Sequence, residues 1–265
     1  MTDKPHRQDP LTPGEREEFE EDLVSFCDRE LDLLGEITGL DVLYAGGSSL
    51  LWIEGLSQRA GEGGTVTALD LDRERVQAAE KSLEHADLRA PVQLVVGIVF
   101  EPPFDPGTFD LVYSAGLFHE LDVSRRTAEE ALLALASVVR PGGRIATGDF
   151  VDTVPAVQLE DERLDAELAR LASGSEPFGV GSPERLVGLH ERVLSDVRWR
   201  VSAPQIVRHL GRIVLAEDEP AGISELPPGT AERLRGRREA LRERIRREGY
   251  TRPATLYVEG RVRGG

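Results

Sequence analysis

The chain has 265 residues, enough to bury a sizeable core, and a formal net charge of −16 that disfavours generic attraction to nucleic acid or an anionic membrane. Its single cysteine, Cys27, excludes an intrachain disulfide, and no apolar run reaches the roughly 18 residues of a membrane-spanning helix. The polar start MTDKPHRQDP lacks the apolar core of a secretion signal, so the expected setting is the reducing cytoplasm, with Cys27 an inert packed thiol.

In chain order, residues 1–12 read as a disordered lead-in. Thr12-Pro13-Gly14-Glu15 marks a helix start. Phe19, Leu23, Phe26, Cys27, Leu31, Leu34 and Ile37 then recur at helical spacing, predicting an amphipathic helix of about six turns that Gly39 stops. Asp41–Ala45 reads as a short buried strand running into Gly46-Gly47-Ser48-Ser49. A helix with Leu50, Leu51, Ile53 and Leu56 follows, and Gly61–Gly64 break it. Thr65–Leu69 is the second strand, ending on Asp70. Strand, glycine turn, helix, strand and terminal acid form the first unit of a doubly wound α/β nucleotide site. Glycines let backbone approach a ligand, and the helix start offers free N–H groups. Asp72 suits the cap of the next helix, over residues 73–86.

Residues 91–97 and 109–115 read as the third and fourth strands, Thr127–Val139 as a helix, and Arg144–Phe150 as the fifth strand after Arg140-Pro141-Gly142-Gly143. This alternation implies a parallel sheet with right-handed crossovers. Helices follow over 156–172 and from Ser182-Pro183. Val197–Val201 is a sixth strand and Thr255–Val262 a final antiparallel one. Between them an insertion of about residues 204–253 carries an Arg-rich helix from Thr230 to Glu248. Strand seven at Arg212–Ala216 is the alternative. Interleaved glutamates make that helix a solvated, self-paired one, while a basic face for an anionic substrate, nucleic acid or an acidic partner subunit, the second copy of a homodimer included, is the sharper alternative.

The order and spacing over residues 38–151 resemble a class I S-adenosylmethionine-dependent methyltransferase of the small-molecule type. Val42–Gly47 is similar to that family's first strand and glycine loop, Asp70 to its ribose-binding acid, and Gly97–Asp110 to its third loop. Phe118-His119-Glu120-Leu121 falls where members carry a His-rich turn, and Arg140–Arg144 is similar to the turn before their fifth strand. The resemblance implies a Rossmann-like doubly wound, mostly parallel seven-stranded sheet with helices on both faces, plus an N-terminal helix and C-terminal helical additions. Residues 13–265 would form one domain. It implies S-adenosylmethionine as cofactor, held by Tyr44, Ala45, Gly46, Gly47, Ser48, Asp70, Leu71, Gly97, Ile98, Val99, Ser114 and Ala115. The implied reaction is methyl transfer to an O, N or C centre of a small-molecule acceptor. His119 is the candidate base, with Glu120 as the neighbouring alternative. His6, His85, His190 and His209 show no ligand spacing, and no metal site is expected. Tyr44, Ser48 and Ile98 depart from the family pattern, which leaves open a binding or assembly role for the fold.

Overall fold

The computed structural model describes residues 9–264, so the expectation for residues 1–8 lies outside the described residues. Residues 9–12 are tied down: Asp9 pairs with Arg16, Leu11 is buried, and Thr12 forms a reciprocal capping box with Glu15. Helix α1 spans Pro13–Leu31. It ends earlier than its apolar spacing predicts. A 3-10 turn over Asp32–Leu34 carries the pattern on to Gly35, whose φ of +65° turns the chain.

Seven strands follow: β1 Asp41–Ala45, β2 Thr65–Asp70, β3 Val92–Val96, β4 Phe109–Ala115, β5 Val139–Val151, β6 Ser195–Ser202 and β7 Ala254–Arg261. They form one sheet in the order β3-β2-β1-β4-β5-β7-β6, parallel except where β7 runs antiparallel to both neighbours. The last strand therefore lies at 254–261, and Arg212–Ala216 belongs to a helix. Alternation sorts the apolar residues onto two faces. Leu43, Val112 and Ile145 pack on one side; Val42, Tyr44, Leu111, Tyr113 and Ala146 pack on the other.

Helices α2 Leu50–Ala60, α3 Arg73–Leu83, α4 Leu117–Glu120, α5 Ala128–Ser137, α6 Val157–Ser173 and α7 Pro183–Val193 cover the sheet and its carboxyl end. The Asp72 side chain caps α3, as expected. Asp110 anchors the amino ends of the interior strands β1 and β4, far from their carboxyl ends, accepting from the Asp41 N–H and pairing with Arg140. The insertion holds α8 Leu210–Ala216 and α9 Pro228–Glu248. A third apolar cluster, Val157, Leu164, Leu234, Leu241 and Ile245, joins α6 to α9. The α9 arginines flank that seam: Arg233 and Arg237 pair with Glu167, Arg238 with Asp165, and Arg244 with Glu160. These four arginines of the basic stripe thus meet acids of the chain itself.

Candidate active site

A cavity of about 600 Å³ opens at the carboxyl ends of β1, β2, β4 and β5, where doubly wound sheets place ligands. Its first end is the turn between β1 and α2. Gly46 adopts φ +85°, and a Cβ there would lie 2.4 Å from Leu117 Cδ1; a Cβ on Gly47 would lie 2.8 Å from the Tyr44 hydroxyl. The positive φ favours glycine at position 46, and a side chain at position 47 would have to displace the Tyr44 hydroxyl. Both N–H groups donate to the Leu69 carbonyl, at 2.8 and 3.0 Å, so the turn is locked onto β2. Those two amides are therefore spent inside the protein. The donors left for a ligand are at the start of α2, which no side chain caps and which brings Ser49 and Leu50 to the cavity wall.

Asp70 closes β2 and is buried at 6 % exposure. It accepts from Ser48 Oγ at 2.7 Å and from the Asp72 N–H at 2.9 Å, which leaves carboxylate lone pairs open to the cavity. Tyr44, Gly46, Gly47, Ser48, Asp70, Ala115, His119 and Glu120 all line this space. Ala45, Leu71, Gly97, Ile98, Val99 and Ser114 do not line it. Ala45 is buried in the sheet, and Ser114 is buried with its hydroxyl on Thr147. Val99 packs in the core, and Gly97 sits against Leu69 and Pro103. Leu71 and Ile98 are 75 % and 47 % exposed just past the ends of the paired strands β2 and β3, giving two bare apolar side chains at neighbouring strand ends.

The other end holds a His–Asp pair. His119 Nδ1 lies 2.6 Å from Asp149 Oδ1, with both side chains buried. Asp149 is fixed by backbone: its Oδ2 accepts from the Phe118 and His119 N–H groups, and its Oδ1 from that of Phe150. The far ring nitrogen, Nε2, stands 3.8 Å from Glu120 and 3.9 Å from Glu162, which also line the cavity. Burial alone would push the His119 pKa down, but Asp149, Glu162 and Glu120 outweigh it and raise it to about 9.

Aromatic rings form a continuous wall. Tyr44 stacks on Tyr113 at 6.2 Å, Tyr113 meets Trp52 at 5.6 Å, and Trp52 meets Phe26 at 6.0 Å. Four buried side-chain atoms have no hydrogen-bond partner among the described residues, and all four residues line this cavity: Glu30, Tyr113, Gln158 and Arg252. Buried polar atoms are nearly always paired, so this concentration marks a ligand space.

The sequence reading singled out His119 but not Asp149, Glu30, Gln158, Glu162 or Arg252. Asp149 stands at a strand end like many other acids, and only the pairing of β4 with β5 brings it to His119. Glu30 left a readable signal, since it lies on the same stripe of the first helix as Phe26, Cys27 and Leu31 and is the one acid buried there. Arg252 left none.

Residues 42–143 match the family described as "Methyltransferase domain". Among curated relatives, the 27-O-demethylrifamycin SV methyltransferase of Amycolatopsis mediterranei is 25 % identical over 59 % of this chain and 65 % of its own length. The ubiquinone/menaquinone biosynthesis C-methyltransferase of Idiomarina loihiensis is 31 % identical over 51 % of this chain and 55 % of its own. The chain thus spans less than two thirds of either relative's length. The YcgJ protein of Bacillus subtilis shares the fold at a TM-score of 0.61 and 14 % identity, covering 91 % of this chain and 100 % of that one.

Proposed function

From the match of residues 42–143 to a methyltransferase domain, we propose that the protein is a class I S-adenosylmethionine-dependent methyltransferase that methylates an oxygen atom of a small organic molecule. The observation that carries this reading is the meeting, in one cavity, of Asp70 and the Gly46–Ser48 turn with the His119–Asp149 pair. When bound, S-adenosylmethionine supplies a methyl group activated by a sulfonium centre. The residues present fit it. The free lone pairs of Asp70 suit ribose hydroxyls, and the uncapped start of α2 suits a carboxylate. Leu71 and Ile98 would cover the two faces of an adenine beside Gly97 and Val99.

A hydroxyl acceptor must lose a proton, and a buried imidazole oriented by a carboxylate is suited to take it. Asp149 holds Nδ1–H, which fixes the tautomer and leaves Nε2 toward the cavity. Nε2 must be unprotonated to accept, so the reaction should quicken as pH rises toward the raised His119 pKa. Glu120 is the secondary candidate and is far more exposed. An oxygen acceptor also agrees with the name of the rifamycin relative, although the second relative is a C-methyltransferase.

Calorimetric titration with S-adenosylmethionine and S-adenosylhomocysteine tests the reading. We expect micromolar binding that is lost in Asp70→Ala and kept in His119→Asn, with transfer abolished in the latter. No heat and no thermal shift at millimolar ligand would sink it.

A further inference from the structure

The cavity has a second half that the cofactor residues do not reach. Asp70 ends β2, whereas Phe150 is on β5, and β1 and β4 lie between them in the sheet. Neighbouring strands are about 4.8 Å apart, so the two ends are separated by roughly 14 Å. At the far end Arg252 lies between two rings, its guanidinium carbon 4.6 Å from the Phe26 centroid and 5.1 Å from that of Phe150. No hydrogen bond or ion pair joins it to any described residue, and its Nε is buried without a partner. Glu30 and Glu162 face the same cavity, yet neither stands within ion-pair distance of it.

The segment carrying Arg252 is held firmly. Thr251 accepts from the Val157 N–H with its hydroxyl at 2.7 Å and from the Gln158 N–H with its carbonyl at 3.1 Å, capping α6. Pro253 follows and restricts the backbone of Arg252 itself. A stacked, uncommitted guanidinium on a fixed segment is a preorganised fork for a carboxylate.

Opposite it are two more orphaned groups. A Cβ built on Gly148 would lie 3.4 Å from Glu30 Oε2 and 3.5 Å from the Tyr113 hydroxyl, so both atoms border the same spot beside Gly148. The two residues are 2 % and 0 % exposed. They give this wall of the cavity a polar edge beside its aromatic rings. The rings of Phe26, Trp52 and Tyr113 supply flat apolar walls between these polar poles.

We propose that this half of the cavity selects the methyl acceptor, that Arg252 binds its carboxylate, and that the acceptor is a small aromatic hydroxy acid whose hydroxyl is the methylated group. The assignment of this ligand as the acceptor rests on the methyltransferase reading; the carboxylate site itself does not. Arg252 is here a specificity residue that touches the ligand away from the reacting atoms.

The test is calorimetry with 2-, 3- and 4-hydroxybenzoate and the three matching hydroxybenzamides, each with and without saturating S-adenosylhomocysteine. The wild-type chain is compared with Arg252→Met, which keeps the packing between the rings, and Arg252→Lys, which keeps the charge and loses the fork. At least one hydroxybenzoate should bind better than its amide. Arg252→Met should weaken the acid roughly 10- to 100-fold, the size of one charge-assisted pair. The amide and S-adenosylhomocysteine should be unaffected, and Arg252→Lys should fall between. Equal affinity for acids and amides would overturn the proposal. So would a parallel loss of S-adenosylhomocysteine binding in Arg252→Met, which would assign the guanidinium to the cofactor carboxylate. If S-adenosylhomocysteine fails to bind the wild type while hydroxybenzoate binding still depends on Arg252, the methyltransferase reading falls and the carboxylate site stands.

Discussion

Two buried histidines sit on either side of Phe118 and meet opposite fates. His190 donates from Nδ1 to the Leu186 carbonyl at 2.9 Å and accepts at Nε2 from the Thr147 hydroxyl at 3.0 Å. No carboxylate touches it, so burial pushes its pKa down to about 4 and keeps the ring neutral. His119 is as dry, but three acids surround it and hold a proton there up to about pH 9. Imidazole titration by NMR should therefore find His119 charged at pH 8 and His190 neutral at pH 5; matching values near 6.5 would contradict both environments. The stability consequences have opposite signs. His119, raised above its unfolded value near 6.5, adds stability that is whole below that pH and is lost as pH climbs through about 9. His190, depressed, adds stability that is present above 6.5 and is lost as pH falls toward about 4. His119→Asn should flatten the alkaline side of a urea-stability profile and leave the acid side alone. In kinetics, kcat/KM should rise about tenfold per pH unit up to about 9, because that ratio reports the free enzyme's base. The sequence made His119 visible through its place after the fourth strand. It could not show that His119 would hold its proton while His190 stays neutral, because that difference comes from Asp149, which stands 30 residues away along the chain.

At the scale of elements, the helix starts at Thr12 and Thr127 were legible, because end signals are local, and the structure closes each with a capping box, Thr12 with Glu15 and Thr127 with Glu130. The end of α1 was not, because a 3-10 turn keeps presenting Leu34 to the core after the α-helical ladder has stopped. The seat of α1 matters, since Phe26 and Glu30 reach the cavity from it. It rests on Gly55 of α2, where a Cβ would lie 2.5 Å from the fully buried Leu31 side chain. Gly55→Val should thus cost about 1–3 kcal/mol in urea denaturation, through overpacking that Leu31 cannot relieve. It should also weaken hydroxybenzoate binding more than S-adenosylhomocysteine binding, because α1 carries residues of the far half alone. Gly236 is the contrast. It lies in α9 with nothing within 4 Å of a built Cβ, so Gly236→Ala should stabilise by about 0.5–1 kcal/mol through helix propensity. A destabilised Gly236→Ala would mean that this helix face is covered in solution.

Across the whole molecule, legibility follows the division of the cavity. The half that holds Asp70 and the glycine turn lies within residues 42–143, where strand, turn and acid occur at spacings dictated by a βαβ unit. The half that holds Glu30, Gln158 and Arg252 is assembled from α1, α6 and the segment before β7, brought together by the closure of β7 between β5 and β6 and by the bonds of Thr251 to the start of α6. No local pattern announces a pocket made from three distant pieces. The same assembly bears on how an anionic acceptor would arrive. The chain carries a net charge of −16, which repels an approaching carboxylate over distances where salt screens strongly, whereas a contact with half-buried Arg252 is screened far less. The affinity for a bound hydroxybenzoate should therefore improve by a few-fold as salt rises from about 0.01 M to about 0.15 M, across which the Debye length shrinks from about 30 to about 8 Å. The matching hydroxybenzamide, having no charge to repel, should show no trend. Calorimetry of the pair at both salt levels separates the two fields. A hydroxybenzoate that binds more weakly as salt rises would mean that the arginine end of the cavity, and not the acidic surface, dominates the potential that the ligand meets.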